Sequence, residues 1–262
     1  MNEVVGSHDV LFLVLDTLRY DVAVEEWSAG RTPNLARALP PTGWEKRHTP
    51  GSFTLAAHQA FFAGFLPTPA SPGRHPRPFA IRFGGSETTT PETCVFDAPD
   101  LVRGFASRGY RTVCIGGVGF FNPENPLGRV LPGYFDEAHY RVETGVIDAR
   151  STEHQVRLAC ERLAAVKERV FLFINVSALH QPNRHYLPGA TEDSRASHAA
   201  ALRYVDSQLP PLFSALAARG PTFALLGSDH GTCYGDDGYV GHRLAHPAVW
   251  TVPWAEVLLP AA

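Results

Sequence analysis

The chain is predicted to be an α/β protein, a three-layer αβα sandwich with a mostly parallel central sheet. Three observations predict it. Continuous apolar runs without alternation recur at Val10–Leu15, Val170–Val176 and Phe223–Gly227, as strands covered on both faces require. Segments with apolar residues at helical spacing lie between them. Polar residues gather just after the runs, at Asp16, at 175–180 and at Ser228–Gly231, where sheets of this class collect ligands.

The elements follow in order. The strand Val10–Leu15 is followed by a short helix over Leu35–Leu39, opened by the Thr32-Pro33-Asn34 turn. A second helix is expected over Thr54–Gly64, with apolar Leu55, Ala56, Ala60, Phe61 and Phe62 and with Ser52 or Thr54 as its cap. Leu66–Thr93 is rich in Pro, Gly, Ser and Thr and reads as a long loop, a lid or rim. A helix over Pro99–Ser107 and a strand over Gly109–Gly117 come next, then a second loop, Gly119–Gly133. Val156, Leu158, Ala159, Leu163 and Val166 mark a helix over Thr152–Glu168 before the strand at Val170. Arg195–Arg219 carries a helical pattern interrupted at Pro210-Pro211, and the last strand is expected over Val252–Leu259. With no repeat and no compositional break, residues 1–262 read as a single domain.

Composition narrows the function. The 23 Gly and 22 Pro in 262 residues exceed the ordinary share but stay below the ~25–30% that marks low-complexity chains. Lys plus Arg number 23 against 26 Asp plus Glu, a net charge of −3 with no basic stripe, so nucleic acid is not the expected partner. No apolar stretch approaches the ~20 residues of a membrane helix and no basic leader precedes Val10, so a cytoplasmic protein without a membrane partner is expected. Cys94, Cys114, Cys160 and Cys233 form no CxxC pair and read as reduced structural thiols.

An Asp directly after a buried strand is either a cap or loop hydrogen-bond acceptor or a metal ligand. Asp229 and His230 together offer a hard oxygen and an imidazole nitrogen, and Asp16 supplies a second carboxylate; the set suits Zn²⁺, Mn²⁺ or a similar divalent ion. Thr54 has two readings as well, an ordinary cap or a nucleophile. It opens a predicted helix whose free N–H groups favour an anion, and coordination to a divalent cation would activate its hydroxyl. His180, His242 and His246 are further candidates, to neutralise phosphoryl oxygens or to bind a second metal.

Taken in order, Asp16-Thr-Leu-Arg-Tyr-Asp21, Thr32-Pro-Asn-Leu35, the Thr54 helix running into Phe62-Ala-Gly-Phe-Leu-Pro67, Gly109-Tyr-Arg-Thr112 and Ser228-Asp-His-Gly231 resemble the successive motifs of the alkaline phosphatase/sulfatase superfamily, in its sulfatase-like branch. The resemblance runs from about Val10 to Leu259 and implies the alkaline-phosphatase-like sandwich. It implies that Asp16, Asp229 and His230 hold one divalent metal with Thr54 as fourth ligand and attacking group. Sulfatase-like members place the nucleophile ten residues before the Gly of the turn that follows, and Gly64 is that Gly here. His58 falls where sulfatases carry an active-site arginine, His180 resembles their substrate-anion histidine, and His242 stands at the position of a lysine. Thr54, His180 and His242 are thereby the expected catalytic residues, with His58, Asn175 and His246 contacting substrate. Arg19 belongs either near the site or in a salt bridge beneath it.

Departures from the pattern refine the expectation. No Cys-x-Pro-x-Arg segment exists, so the formylglycine nucleophile of sulfatases cannot form, and Thr favours phosphoryl transfer over aryl-sulfate chemistry. Two-metal phosphatases place an Asp four residues before the second-site His, but Val176 stands four before His180, so one metal is favoured over two. The expected activity is metal-dependent hydrolysis of a small-molecule phosphate or sulfate ester through a covalent threonine. The alternatives are a phosphoryl transferase with the same site and a non-catalytic metal- or anion-binding member. Relatives that modify lipids usually carry membrane anchors, so a soluble substrate is the expectation.

Overall fold

A computed structural model describes residues 1–84 and 89–262 of the protein. β1 (Asp9–Leu15) leads into α1 (Tyr20–Ser28) and α2 (Pro33–Ala38), then β2 (Glu45–His48) and α3 (Thr54–Phe62). The short strands β3 (Thr68–Pro69), β4 (Phe79–Ile81) and β5 (Cys94–Phe96) precede α4 (Leu101–Ser107), β6 (Tyr110–Ile115), β7 (Glu137–His139) and α5 (Ser151–Ala165). After β8 (Arg169–Val176), α6 (Arg195–Gln208) and α7 (Pro210–Arg219) lead to β9 (Thr222–Gly227). The hairpin of β10 (Cys233–Asp236) and β11 (Tyr239–Gly241), α8 (Pro247–Trp250) and β12 (Thr251–Leu259) complete the chain.

The central sheet has eight strands in the order β3-β2-β12-β9-β1-β8-β6-β7. From β9 to β7 every pairing is parallel. Side chains alternate along these strands, and the two faces differ in kind. Phe12, Phe171, Phe173, Phe223 and Leu225 point into an aromatic layer under α3 and α4. Leu11, Leu13, Leu172, Ile174 and Leu226 point into an aliphatic layer under α1, α2, α5, α6 and α7. The predicted three-layer sandwich is therefore present, and β1, fully buried along its length, is its axis. No helix among the described residues is long and apolar enough to cross a membrane.

Several expectations need correction. The last strand does not extend the parallel array: β12 runs antiparallel to β9, and β2 antiparallel to β12. The chain returns from the carboxyl end of β9 through a hairpin and one helical turn, and without a crossover helix the next strand must run backwards. Helix α1 has no signature in the apolar pattern because one of its inward positions is a carboxylate, Glu26, held by Arg31 and Arg203. The pattern over 195–219 is two helices that turn at Leu209, with Pro210 opening the second. The inward face of α3 is Thr54, Ala57, His58, Phe61 and Phe62 rather than a face built on Leu55, Ala56 and Ala60. The loop Leu66–Thr93 contains β3 and β4, and its residues 85–88 lie outside the described residues. The loop Gly119–Gly133 is ordered into tight 3₁₀ turns. All four cysteines are free thiols.

Candidate metal centre and its cleft

Asp16 follows the last residue of β1, Asn175 is the penultimate residue of β8, and Ser228 to His230 follow β9, so adjacent parallel strands deliver these side chains to one end of the sheet. Thr54 comes from above, as the first residue of α3. The residue before it, Phe53, has no side chain able to cap the helix, and the Thr54 hydroxyl does not cap it either. Capping by Ser52 or Thr54 is thus not realised, and no side chain caps the first-turn N–H groups.

The Thr54 Oγ1 lies 3.4 Å from Asp16 Oδ2 and 3.4 Å from His230 Nε2, and His230 Nε2 lies 3.4 Å from Asp229 Oδ2. These separations are too long for good hydrogen bonds. Two ligand atoms each ~2.1 Å from an ion at a tetrahedral angle stand roughly 3.4 Å apart, so the spacing is that of a coordination shell. The ligand atoms of Asp16, Asp229 and His230 all lie within 4.8 Å of one another, and all three residues are fully buried. Asp16 Oδ1 and Asp229 Oδ2 have no hydrogen-bond partner. Orphaned carboxylate oxygens in the interior are costly, and a divalent cation would satisfy them.

Surrounding groups hold the ligands in place. Asn175 Nδ2 donates to Asp16 Oδ2 at 2.8 Å, and its Oδ1 accepts from the Val118 N–H. Asp229 Oδ1 accepts from the N–H groups of Thr17 and His230, and the Thr49 hydroxyl donates to the Asp229 carbonyl. His230 Nδ1 donates to the Gly231 carbonyl at 2.9 Å, which leaves the Nε2 lone pair facing Thr54 and Asp229, the tautomer a metal requires. Burial, reinforced by the charge of Asp229, pushes Asp16 up to about 6, and burial pushes Asp229 up to about 7. Burial also lowers the basicity of His230, which favours the neutral, ligating ring.

No protein-family profile matches the chain, and no curated protein matches it significantly by sequence. Solved structures do. The periplasmic domain of the phosphoethanolamine transferase EptC from Campylobacter jejuni superposes with a TM-score of 0.62 at 13% identity, covering 96% of this chain and 80% of that one. The corresponding EptC domain from Escherichia coli, in complex with Zn, gives 0.61 at 12% identity over 98% of this chain and 74% of that one. A protein of the alkaline phosphatase superfamily from Vibrio parahaemolyticus gives 0.55 at 16% identity over 97% and 60%. The fold is that of the alkaline phosphatase superfamily.

Beside the candidate metal centre of this alkaline-phosphatase-like fold, an open cleft of ≈ 300 Å³ is lined by the polar residues Thr54, His180, His242, Arg243 and Asn125 and by Val118, Gly119, Phe120, Leu127 and Val146. The His242 ring lies 4.6 Å from that of His230 and 5.6 Å from that of His180, so the three imidazoles form one cluster. His180 Nδ1 donates to the Gln181 carbonyl at 2.6 Å. Burial, together with the nearby histidines and Arg243, pushes His242 down to about 3.

Other predicted contact residues lie elsewhere. His58 is fully buried one turn after Thr54, packed among Phe61, Phe62, Phe121 and Phe173, with Nδ1 donating to the Thr54 carbonyl at 2.7 Å. Burial pushes it down to about 3, so it is a neutral ring that shapes the first turn of α3. Asn175, also fully buried, touches Asp16 and not the cleft. His246 is remote: its Nδ1 accepts from the Ala248 N–H at the start of α8, and its Nε2 pairs with Asp237. Arg19 takes the salt-bridged option, held by Asp21 and Asp236. Reading the sequence missed Thr17, Thr49, Arg243 and the wall formed by Phe120, Leu127 and Val146. Thr17 alone had a local signal available, a polar residue directly after the ligand Asp16, and it adopts φ 64° to direct its N–H at Asp229.

Proposed function

We propose that the chain is a metal-dependent enzyme that hydrolyses a phosphate ester through a covalent phosphothreonine at Thr54. The observation that carries the proposal is the set of 3.4 Å separations linking the Thr54 hydroxyl, Asp16, His230 and Asp229. Asp16, Asp229, His230 and Thr54 would hold one Zn²⁺ or Mn²⁺, which when bound supplies a lowered hydroxyl pKa and a positive charge beside the phosphoryl group.

The chain's own groups account for the rest. Thr54 stands at the positive end of α3, where free N–H groups meet negative oxygens. His180 and His242 border the same cleft, and each contacts an equatorial oxygen through an N–H, His180 through Nε2 once it carries a proton, because its Nδ1–H is held by the Gln181 carbonyl. Thr54 Oγ1 attacks phosphorus in line, its proton passing to water in the open cleft; the Oγ1–P bond forms as the bond to the leaving oxygen breaks, and the leaving alkoxide takes a proton back from that water. A second water then cleaves the Oγ1–P bond, releasing phosphate and restoring the hydroxyl. Phe120, Leu127 and Val146 favour an ester whose organic part is apolar or aromatic.

A second reading hands the group from Thr54 to an acceptor hydroxyl. It is favoured by the two structural neighbours from C. jejuni and E. coli, of which the first is a phosphoethanolamine transferase and the second the corresponding EptC domain. Thr54→Ala is expected to lower turnover of aryl phosphomonoesters and diesters by at least about 10³-fold with an unchanged melting temperature. Acid quenching of the wild type during turnover is expected to trap one phosphoryl group on Thr54. Equal activity of variant and wild type would overturn the assignment. A non-catalytic protein would bind one equivalent of metal and turn over none of the esters.

A further inference from the structure

We infer that Arg243 is a specificity-determining residue whose guanidinium takes a non-bridging oxygen of the substrate's phosphoryl group. The inference rests on the reading of Thr54 as the nucleophile. Arg243 lines the same cleft as Thr54, His180 and His242. Its backbone stands in the left-handed region at φ 68°, a conformation that costs a non-glycine residue on the order of 1 kcal/mol or more. A backbone hydrogen bond holds it there: the Arg243 N–H donates at 2.9 Å to the carbonyl of Ser52, in the stretch of chain that enters the nucleophile helix.

The side chain is equally constrained. Its guanidinium carbon lies 5.3 Å from the ring centre of Phe53, the residue before Thr54, and 6.0 Å from that of Phe120 on the facing wall. Phe53 and Phe120 are themselves in contact, with ring centres 6.1 Å apart, so the guanidinium rests on a bracket of two aromatic rings, one of which, Phe120, also lines the cleft. Among the described residues no carboxylate pairs with it. The other arginine near this end of the sheet, Arg19, is occupied by Asp21 and Asp236. A strained residue that presents an uncompensated, planar cation beside a nucleophile is arranged for an anion of matching geometry, and phosphoryl oxygens match the guanidinium fork.

The charge also fills a need. Val176 stands where a second-site acid would be expected, and among the described residues Asp16, Asp229 and His230 form the one cluster of side chains able to hold a metal ion. Three equatorial oxygens must be neutralised in phosphoryl transfer, and one metal with two imidazoles leaves an edge that a permanent cation serves. A dianionic monoester gains more from it than a monoanionic diester. Arg243 thus sets the preference between these two substrate classes.

The test compares wild type with Arg243→Gln, which removes the charge but keeps a planar polar end group, and Arg243→Lys, which keeps charge. The first readout is calorimetric binding of inorganic phosphate to the metal-loaded protein, independent of turnover. The glutamine variant is expected to bind phosphate at least about tenfold more weakly, with metal stoichiometry and melting temperature unchanged, and the lysine variant to recover part of the loss. In turnover, kcat/KM for a monoester is expected to fall about 10–100-fold, mainly through KM, and for the matched diester by less. Phosphate affinity unchanged in the glutamine variant, or no phosphate binding by the wild type, overturns the inference. Phosphate binding that depends on Arg243 in a protein without turnover supports this inference while overturning the proposed catalysis.

Discussion

Asn175 is a buried amide that positions one side chain of the candidate metal centre. Its Nδ2 fixes Asp16 at 2.8 Å while its Oδ1 holds the Val118 N–H, so it joins the ligand to the loop that walls the cleft. Partners of this kind typically contribute 10–100-fold to metal affinity. Asn175→Ala is therefore expected to weaken Zn²⁺ or Mn²⁺ binding about 10–100-fold, and titration with a competing chelator measures it; unchanged affinity would show that Asp16 needs no such support. At this scale the candidate ligands Asp16, Asp229 and His230 were legible because each follows a recognisable apolar strand. His58 was legible as a residue near Thr54 but not as a buried one, because a helix of small and aromatic residues does not reveal which histidine face turns inward.

Helix α3 and the turn after β9 carry the geometry at the scale of elements. The turn is possible because Gly231 has no side chain: a Cβ there would strike the Ala248 carbonyl oxygen, while the Gly231 N–H bonds to the Val249 carbonyl at 2.7 Å. Gly231→Ala is expected to destabilise the fold by about 1–3 kcal/mol and to displace His230, whose Nδ1 bonds the Gly231 carbonyl. Thermal unfolding together with metal titration reads both effects; a variant with wild-type stability and affinity would show that the turn tolerates a side chain. Strands β1, β8 and β9 and helix α5 were legible from periodicity. Helix α1 was not, since the buried charge of Glu26 breaks the apolar stripe, and the reversed direction of β12 depends on a return path that no strand's own residues encode.

For the molecule as a whole, the buried carboxylates of the candidate metal centre are expected to couple stability to pH. Asp16 rises to about 6 and Asp229 to about 7 in the folded protein, from 3.8, so the folded state binds more protons than the unfolded one between these limits. The stability these groups contribute is complete below pH ~4 and lost as pH rises through about 6 to 7. Metal-free protein is therefore expected to lose on the order of a few kcal/mol from these two sites between about pH 4 and 8, with the opposite contribution of other groups superimposed. Asp229→Asn is expected to flatten this dependence. Metal reverses it, because binding requires both carboxylates ionised, and metal affinity is expected to fall roughly tenfold per pH unit for each proton displaced below about pH 7. Melting temperatures across pH with chelator and with Mn²⁺ measure both arms; parallel curves would show that neither carboxylate binds the ion.

Strand periodicity and the identity of the residue ending each strand were enough to assign the αβα class and to single out Asp16, Asp229 and His230, because burial on both faces and polar strand ends leave local marks; Thr54 was singled out by the start of a predicted helix and by the family resemblance. Their convergence to within a coordination sphere was decided only by folding, since these residues are spread along the chain from Asp16 to His230 and meet through the register of β1 with β8 and β9. The same holds for Arg243, whose place in the cleft beside Thr54 comes from one hydrogen bond to Ser52 and from two phenylalanines on different loops, and for His246, which does not line that cleft. Chemistry is written in residue types, whereas which of them share a cleft depends on contacts between distant parts of the chain.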